Sequence, residues 1–383
     1  MERTEDTFFA LLRAGLWADT DANINFNVLC EQSDYGRANL NDKVDWDKVY
    51  QLAEEQSVAG LVLVGIDWFK VHDSRFTIPQ EVLLQWIGEV QIIEQQNKAM
   101  NDFVAKLIEK LRKEDVYAIL VKGQGIAQCY ERPLWRSSGD VDLLLSANNY
   151  EKAKTLLIPL SEEVQSEDIR KKHQAIIIKG FDVELHGKMS FGLSRKADKV
   201  IDAVIEDSLK HGGARVWTHD NSDIYLPNAD NDVILVFTHF LRHFFIEGVG
   251  LRQICDWCRL LYTYRDSLNY GLLEKRIRKM GLMTEWQVFG KLAVEFLGMP
   301  EETMPFYKDS QGMKIKAKRV LSRVMNSGNF GHNNDLSYRS KYTGVRYKMV
   351  ALWRRLNDFI NLTLVFPLDA PRFFVTYVSG KIQ

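Results

Sequence analysis

Along the first 115 residues, apolar side chains recur at three- and four-residue intervals. Between residues 79 and 114, Val82, Leu83, Trp86, Ile87, Val90 and Ile93 fall on one helical stripe, which continues through Phe103, Leu107 and Leu111. With no internal proline and one glycine, this segment predicts a single long amphipathic helix or two in tandem. Residues 45–70 also read as mainly helical, with apolar faces suited to packing against it. The period changes at Val116. VYAILVKG has the length and apolar content of a buried strand ending in Gly123, and GIAQCYERP is a brief helix stopped by Pro133. The loop LWRSSG leads into a second strand, DVDLLLS, over 140–146. A helix over 148–160 follows, then HQAIIIKG and FDVELHG, two strands sharing a tight turn at Gly180. After Pro227 the helical period returns in NDVILVFTHFLRHFFIEG, GLRQICDWCRLLYTYRD and two further helices to about Leu297. This order predicts an α+β protein: an N-terminal helical region (1–115), a small α/β core with a mixed sheet (116–226), and a C-terminal helical domain with a basic tail (227–383).

Composition adds little to the fold but constrains the setting. The chain of 383 residues is 46% hydrophobic and 26% charged, ordinary for a globular protein of two or three units. A formal net charge of -1 hides an asymmetry, because from Gln311 onward 13 Lys and Arg face 3 Asp and Glu. That basic end suits phosphates, an anionic surface or the acidic remainder of the chain itself. Four cysteines (Cys30, Cys129, Cys255, Cys258) are too few for a disulfide framework. The N-terminus lacks the layout of a signal peptide, and no run reaches the roughly 18 apolar residues of a membrane span, so a cytoplasmic, reducing setting is expected. Cys255 and Cys258 form a Cys-x-x-Cys without a second pair, and read as core residues rather than zinc ligands. His239 and His243 share a helix face without the intervening glutamate of a zinc protease, which suggests packing or a cleft wall. Arg252 and Asp256, four apart, suggest a helical ion pair.

The strand at 140–146 carries the candidate chemistry. Strand side chains alternate faces, so Asp140 and Asp142 point one way while Val141 and Leu143 point into the core. Two carboxylates side by side repel, and an otherwise apolar strand needs a reason to hold both. A divalent cation with oxygen ligands supplies one. Gly123 and Gly125, at a strand–helix junction, allow backbone to approach phosphate oxygens, and Arg136 lies four residues before Asp140. On FDVELHG, Glu184 is in phase with Asp182 and His186, so a third carboxylate can join from a neighbouring strand, with Glu184 or Asp182 as the choice left open by register.

The segment VKGQGIAQCYERPLWRSSGDVDLLL resembles the signature of an uncharacterised nucleotidyltransferase family, common in bacterial genomes, within the DNA-polymerase-β-like nucleotidyltransferase superfamily. VELH and GLRQICDW extend the resemblance to roughly residues 80–265. One departure is Gly123-Gln124-Gly125, where the superfamily has Gly-Ser or Gly-Gly. The resemblance implies Mg²⁺- or Mn²⁺-dependent transfer of a nucleoside monophosphate from an NTP such as ATP to an acceptor hydroxyl, with release of pyrophosphate. It assigns Asp140, Asp142 and Glu184 to catalysis and metal binding. Lys122, Gly123, Gly125, Arg136 and His186 fall to the phosphates or substrate. The acceptor (small molecule, RNA or protein) is unread, and a non-catalytic nucleotide- or nucleic-acid-binding module on the same fold is the alternative.

Overall fold

The computed structural model describes residues 3–18, residues 44–329 apart from 75, 171, 190–191 and 211–214, and scattered positions between 346 and 374. Cys30 and most of the basic tail lie outside the described residues. The architecture is α+β: a five-stranded mixed sheet and a two-stranded hairpin, with helical regions on both sides in sequence.

Among the described residues, four helices precede the sheet: α1 (Arg3–Leu16), α2 (Trp46–Glu55), α3 (Ala59–His72) and α4 (Gln80–Lys113). The long amphipathic segment forms one helix of 34 residues, about 50 Å at 1.5 Å per residue. Its length lets it serve two cores. Trp86 and Val90 pack with the helices, whereas Met100, Phe103, Val104, Leu107, Ile108 and Leu111 pack under the sheet. α1 and α3 touch backbone to backbone, because a Cβ on Gly15 would stand 1.8 Å from Leu61 O and one on Gly65 1.9 Å from Leu11 O.

The sheet strands are β1 (Ala118–Val121), β2 (Asp140–Leu145), β3 (Glu163–Val164), β4 (His173–Ile178) and β5 (Phe181–His186), in spatial order β1-β2-β5-β4-β3. Only the β2–β5 pairing is parallel, as expected where α6 (Ala147–Leu157) and more chain intervene. Between β1 and β2 lies α5 (Gly123–Ala127), which starts at Gly123, two residues earlier than the sequence suggested. One sheet face is apolar: Leu120, Val141, Leu143, Leu145, Val183 and Leu185 meet α4, Tyr150, Ala153 and Leu157 of α6, and Ile224 and Leu226. The last two belong to the hairpin β6 (Arg215–His219) and β7 (Ser222–Leu226), reached through α7 (Arg195–Lys210).

The C-terminal helices are α8 (Ala229–Ile246), α9 (Leu251–Tyr264), α10 (Tyr270–Met280), α11 (Met283–Leu297) and α12 (Gln311–Ser327). Their core is continuous with that of α1 to α3: one buried cluster runs from Phe8 and Trp17 through Phe237, Trp257 and Trp286 to Val324. The Trp17 indole N–H, donating to Leu297 O at 2.7 Å, joins α1 to the end of α11. Cys129, Cys255 and Cys258 are free and buried, which fits core cysteines. Within the tail, Phe373 is buried and Trp353 is 71% exposed. Among the described residues no helix is long and apolar enough to cross a membrane.

Candidate active site

Register decides which polar side chains meet. Asp142 lies opposite Val121 on one side and Glu184 on the other, and Glu184 lies opposite Ala175. One row along, Leu144, His186 and His173 are paired in the same way. Because side chains alternate, these two rows and the Asp140–Asp182 pair share the sheet face turned away from α4. The second strand register therefore brings the ligand atoms of Asp140, Asp142 and Glu184 within 4.8 Å of one another. Asp182, opposite Asp140, is exposed and stands outside that group.

Asp142 is the centre. Its side chain is fully buried, and its Oδ1 meets Lys122 Nζ at 2.7 Å and His186 Nε2 at 2.7 Å. Its Oδ2 is buried without a hydrogen-bond partner. A buried, unpartnered carboxylate oxygen is costly unless something cationic faces it. Burial pushes the Asp142 carboxyl upward, but the Lys122 and His186 charges outweigh it and hold the group ionised below the usual range. Asp140 moves the other way, raised by the Asp142 charge and by burial. Burial also acts against Glu184, yet hydrogen bonds from His173 (3.2 Å) and His186 (3.3 Å) leave its carboxyl far below the ordinary value. For His186 and Lys122, burial favours the neutral form and the surrounding carboxylates prevail, raising both. Two cations thus balance part of a three-carboxylate cluster. These residues suit a divalent ion, since the cluster has one buried oxygen to spare and two mutually repelling aspartates.

Lys122 reaches Asp142 because of an unusual backbone: its φ is 59°, and Gly123 follows at 37°. A non-glycine residue at positive φ costs on the order of 1–3 kcal/mol and persists only where its surroundings hold it. The glycines meet protein first. A Cβ on Gly123 would lie 3.3 Å from Asp140 O, and one on Gly125 2.8 Å from Leu226 Cδ2. Gly123 thus lets the start of α5 lie against the acidic strand, and Gly125 seats α5 on β7.

Arg136 occupies a different place from the one expected. Rather than facing the cleft for phosphate, its buried guanidinium makes a bidentate pair with Asp256, Nε to Oδ1 and Nη2 to Oδ2, both at 2.7 Å. The expected Arg252–Asp256 helical pair is replaced accordingly: Asp256 turns to Arg136 and also accepts from Tyr130 Oη at 2.8 Å, while Arg252 Nη1 donates to Ser137 O at 2.6 Å. Arg136 Nη1 also donates to Ser138 Oγ, which donates to Gln124 Oε1, and Gln124 Nε2 donates to Asn97 Oδ1. Asn97 Nδ2 closes the chain on Leu134 O and Arg136 O at 2.8 Å each. A buried polar network from α4 to α9 thereby holds the loop that delivers Asp140. Gln124 is part of it.

Sequence reasoning missed two contributors. His173 was legible only through pairing, since it lies 11 residues from Glu184 in the chain and directly opposite His186 in the sheet. Asn97 is one buried polar position in a long amphipathic helix, and that break in the stripe is the signal that was available. His239, on the helix face read from the sequence as packing or a cleft wall, lies on α8; burial lowers it strongly, and the Lys122, His243 and Arg242 charges add to that. Its Nε2 lies 3.2 Å from His243 Nε2. Arg252, on α9, also feels the Asp140 charge.

The family described as uncharacterised nucleotidyltransferase matches residues 42–298, and the chain belongs to it. No curated protein and no solved structure matches the chain.

Proposed function

We propose that this member of the nucleotidyltransferase family transfers a nucleoside monophosphate from an NTP to an acceptor hydroxyl, using Asp140, Asp142 and Glu184 with Mg²⁺ or Mn²⁺, in the manner of the DNA-polymerase-β-like superfamily. The observation that carries this reading is the buried Asp142 with an unpartnered Oδ2 at the centre of three carboxylates. The bound ions would lower the pKa of the acceptor oxygen and offset charge on the leaving pyrophosphate.

The protein's own residues divide the remaining work. Asp140 and Asp142 gather the ligand oxygens, and Glu184, on the neighbouring strand, faces the acceptor. Lys122 keeps Asp142 ionised and supplies positive charge beside the triphosphate. His186 holds Asp142 and Glu184 in register with each other. Arg136 acts through Asp256 and Ser138, fixing the loop that ends in Asp140, so it is a positioning residue. Residues 116–226 form the catalytic unit between the flanking regions 1–115 and 227–383, and α8 and α9 form the acceptor side of the cleft.

The test is incubation of the full chain with each labelled NTP and Mg²⁺ or Mn²⁺, with cell-extract fractions as acceptors. Label transfer is expected from the wild type and none from Asp140→Ala combined with Asp142→Ala, which also loses Mn²⁺ binding. Unchanged turnover in that double variant would overturn the assignment, and nucleotide binding without any transfer would point to a non-catalytic module.

A further inference from the structure

Beside the three carboxylates stands a second cluster of different chemistry: His173, Glu184 and His186, whose ligand atoms all lie within 4.8 Å of one another. We infer that these three side chains form a binding site for a nitrogen-preferring divalent ion such as Zn²⁺ or Co²⁺. This site shares Glu184 with the proposed nucleotidyl-transfer centre but does not depend on that activity.

The geometry begins with the register. His173 and His186 are opposite partners on antiparallel β4 and β5, with ring centroids 4.9 Å apart. Glu184, two residues before His186, shares its face, and its own cross-strand partner is Ala175, whose methyl leaves room beside the carboxylate. Both imidazoles turn Nε2 to the same oxygen, Glu184 Oε2, at 3.2 Å from His173 and 3.3 Å from His186. Two ligand atoms on a tetrahedral zinc, each about 2.0–2.1 Å from the ion, stand roughly 3.3 Å apart. The spacing is that of two edges of such a tetrahedron.

The donor set argues for the ion's identity. Two imidazoles and one carboxylate suit Zn²⁺ or Co²⁺, whereas Mg²⁺ takes oxygen donors. Three protein ligands leave the fourth position open, as in zinc sites that accept water or substrate. Access fits as well, since the side chains of His173 and Glu184 are each 31% exposed and that of His186 is 10% exposed. Asp142 Oδ1 also lies 2.7 Å from His186 Nε2, so a further carboxylate is at hand to join the ligand set.

The test uses the metal-free full chain and Co²⁺ as the probe, read by visible absorption, with Zn²⁺ displacement as a second readout. Wild type is expected to show the intense bands of four-coordinate Co²⁺, lost on addition of Zn²⁺. His173→Ala and the gentler His173→Gln are expected to weaken Co²⁺ at least about tenfold, while retaining the wild-type circular dichroism spectrum. Asp140→Asn is expected to do the reverse: its Co²⁺ bands remain and its Mn²⁺–nucleotide binding is lost. Co²⁺ bands unchanged in both His173 variants, or no such bands in the wild type, would overturn the inference. Loss of the bands in Asp140→Asn with retention in His173→Gln would assign the ion to the aspartates instead. Failure of the nucleotide arm alone would tell against the proposed function and leave the His173 site standing.

Discussion

Asp256→Ala separates a positioning role for Arg136 from a phosphate-binding one. The substitution removes both oxygens that hold the guanidinium at 2.7 Å, and the acceptor of the Tyr130 hydroxyl at 2.8 Å. Both partners of the pair are 5% exposed, so water cannot replace the lost acceptor. Removing one partner of a buried ion pair costs about 3–5 kcal/mol, because the surviving charge is stranded. At about 2–4 °C per kcal/mol for a chain of this order, the melting temperature should fall by roughly 6–20 °C. The apolar double change Arg136→Met with Asp256→Leu strands no charge and should recover most of that loss. About 1–3 kcal/mol would remain for the orphaned Tyr130 hydroxyl, removed in turn by Tyr130→Phe. Differential scanning fluorimetry on the four proteins measures the stabilities, and titration with a fluorescent ATP analogue measures nucleotide affinity. A melting temperature for Asp256→Ala within a degree of wild type would refute the stranded-charge argument. A large loss of nucleotide affinity in the triple variant, with stability restored, would return Arg136 to the triphosphate.

Three further outcomes follow from the same geometry. Asp140, raised by Asp142, is a strained charge in the metal-free protein, so Asp140→Asn should hold or raise the melting temperature in EDTA while ending transfer; a clear drop in that temperature would contradict it. His186 has a folded value raised above its ordinary 6.5, so its stabilisation is complete below about pH 6.5 and is lost as pH rises through the folded value. Metal-free melting temperatures should therefore decline across that range in wild type, and the decline should flatten in His186→Gln; parallel profiles would exclude His186 as the source. Gln124→Ala should cost about 1–3 kcal/mol, because it strips buried partners from Asn97 and Ser138, and urea denaturation with no shift in midpoint would show that the network bears no load.

Local pattern was enough for the long helix α4, for the strand carrying Asp140 and Asp142, and for the shared face of Glu184 and His186, because a helix or strand period is written in a few consecutive residues. It also sufficed for the family, whose motif is compact around residues 121–145. Pairings between distant segments had no such signature. Arg136 looked like a phosphate ligand because a loop arginine near an acidic strand has that chemistry, and nothing local marks Asp256, 120 residues on, as its partner. His173 looked like the polar start of a strand until register set it against His186.

By itself, then, the chain of residues determined which faces are apolar, where the carboxylates sit on their strand, and to which family the chain belongs. Only the tertiary structure decided which charges are neighbours. It gathered Glu184 rather than Asp182 beside the aspartates, turned Arg136 to Asp256, and set His173 against His186. The reason is physical: periodicity follows from backbone geometry over a few residues, whereas a buried charge takes its partner from whichever segment the packed core delivers to it.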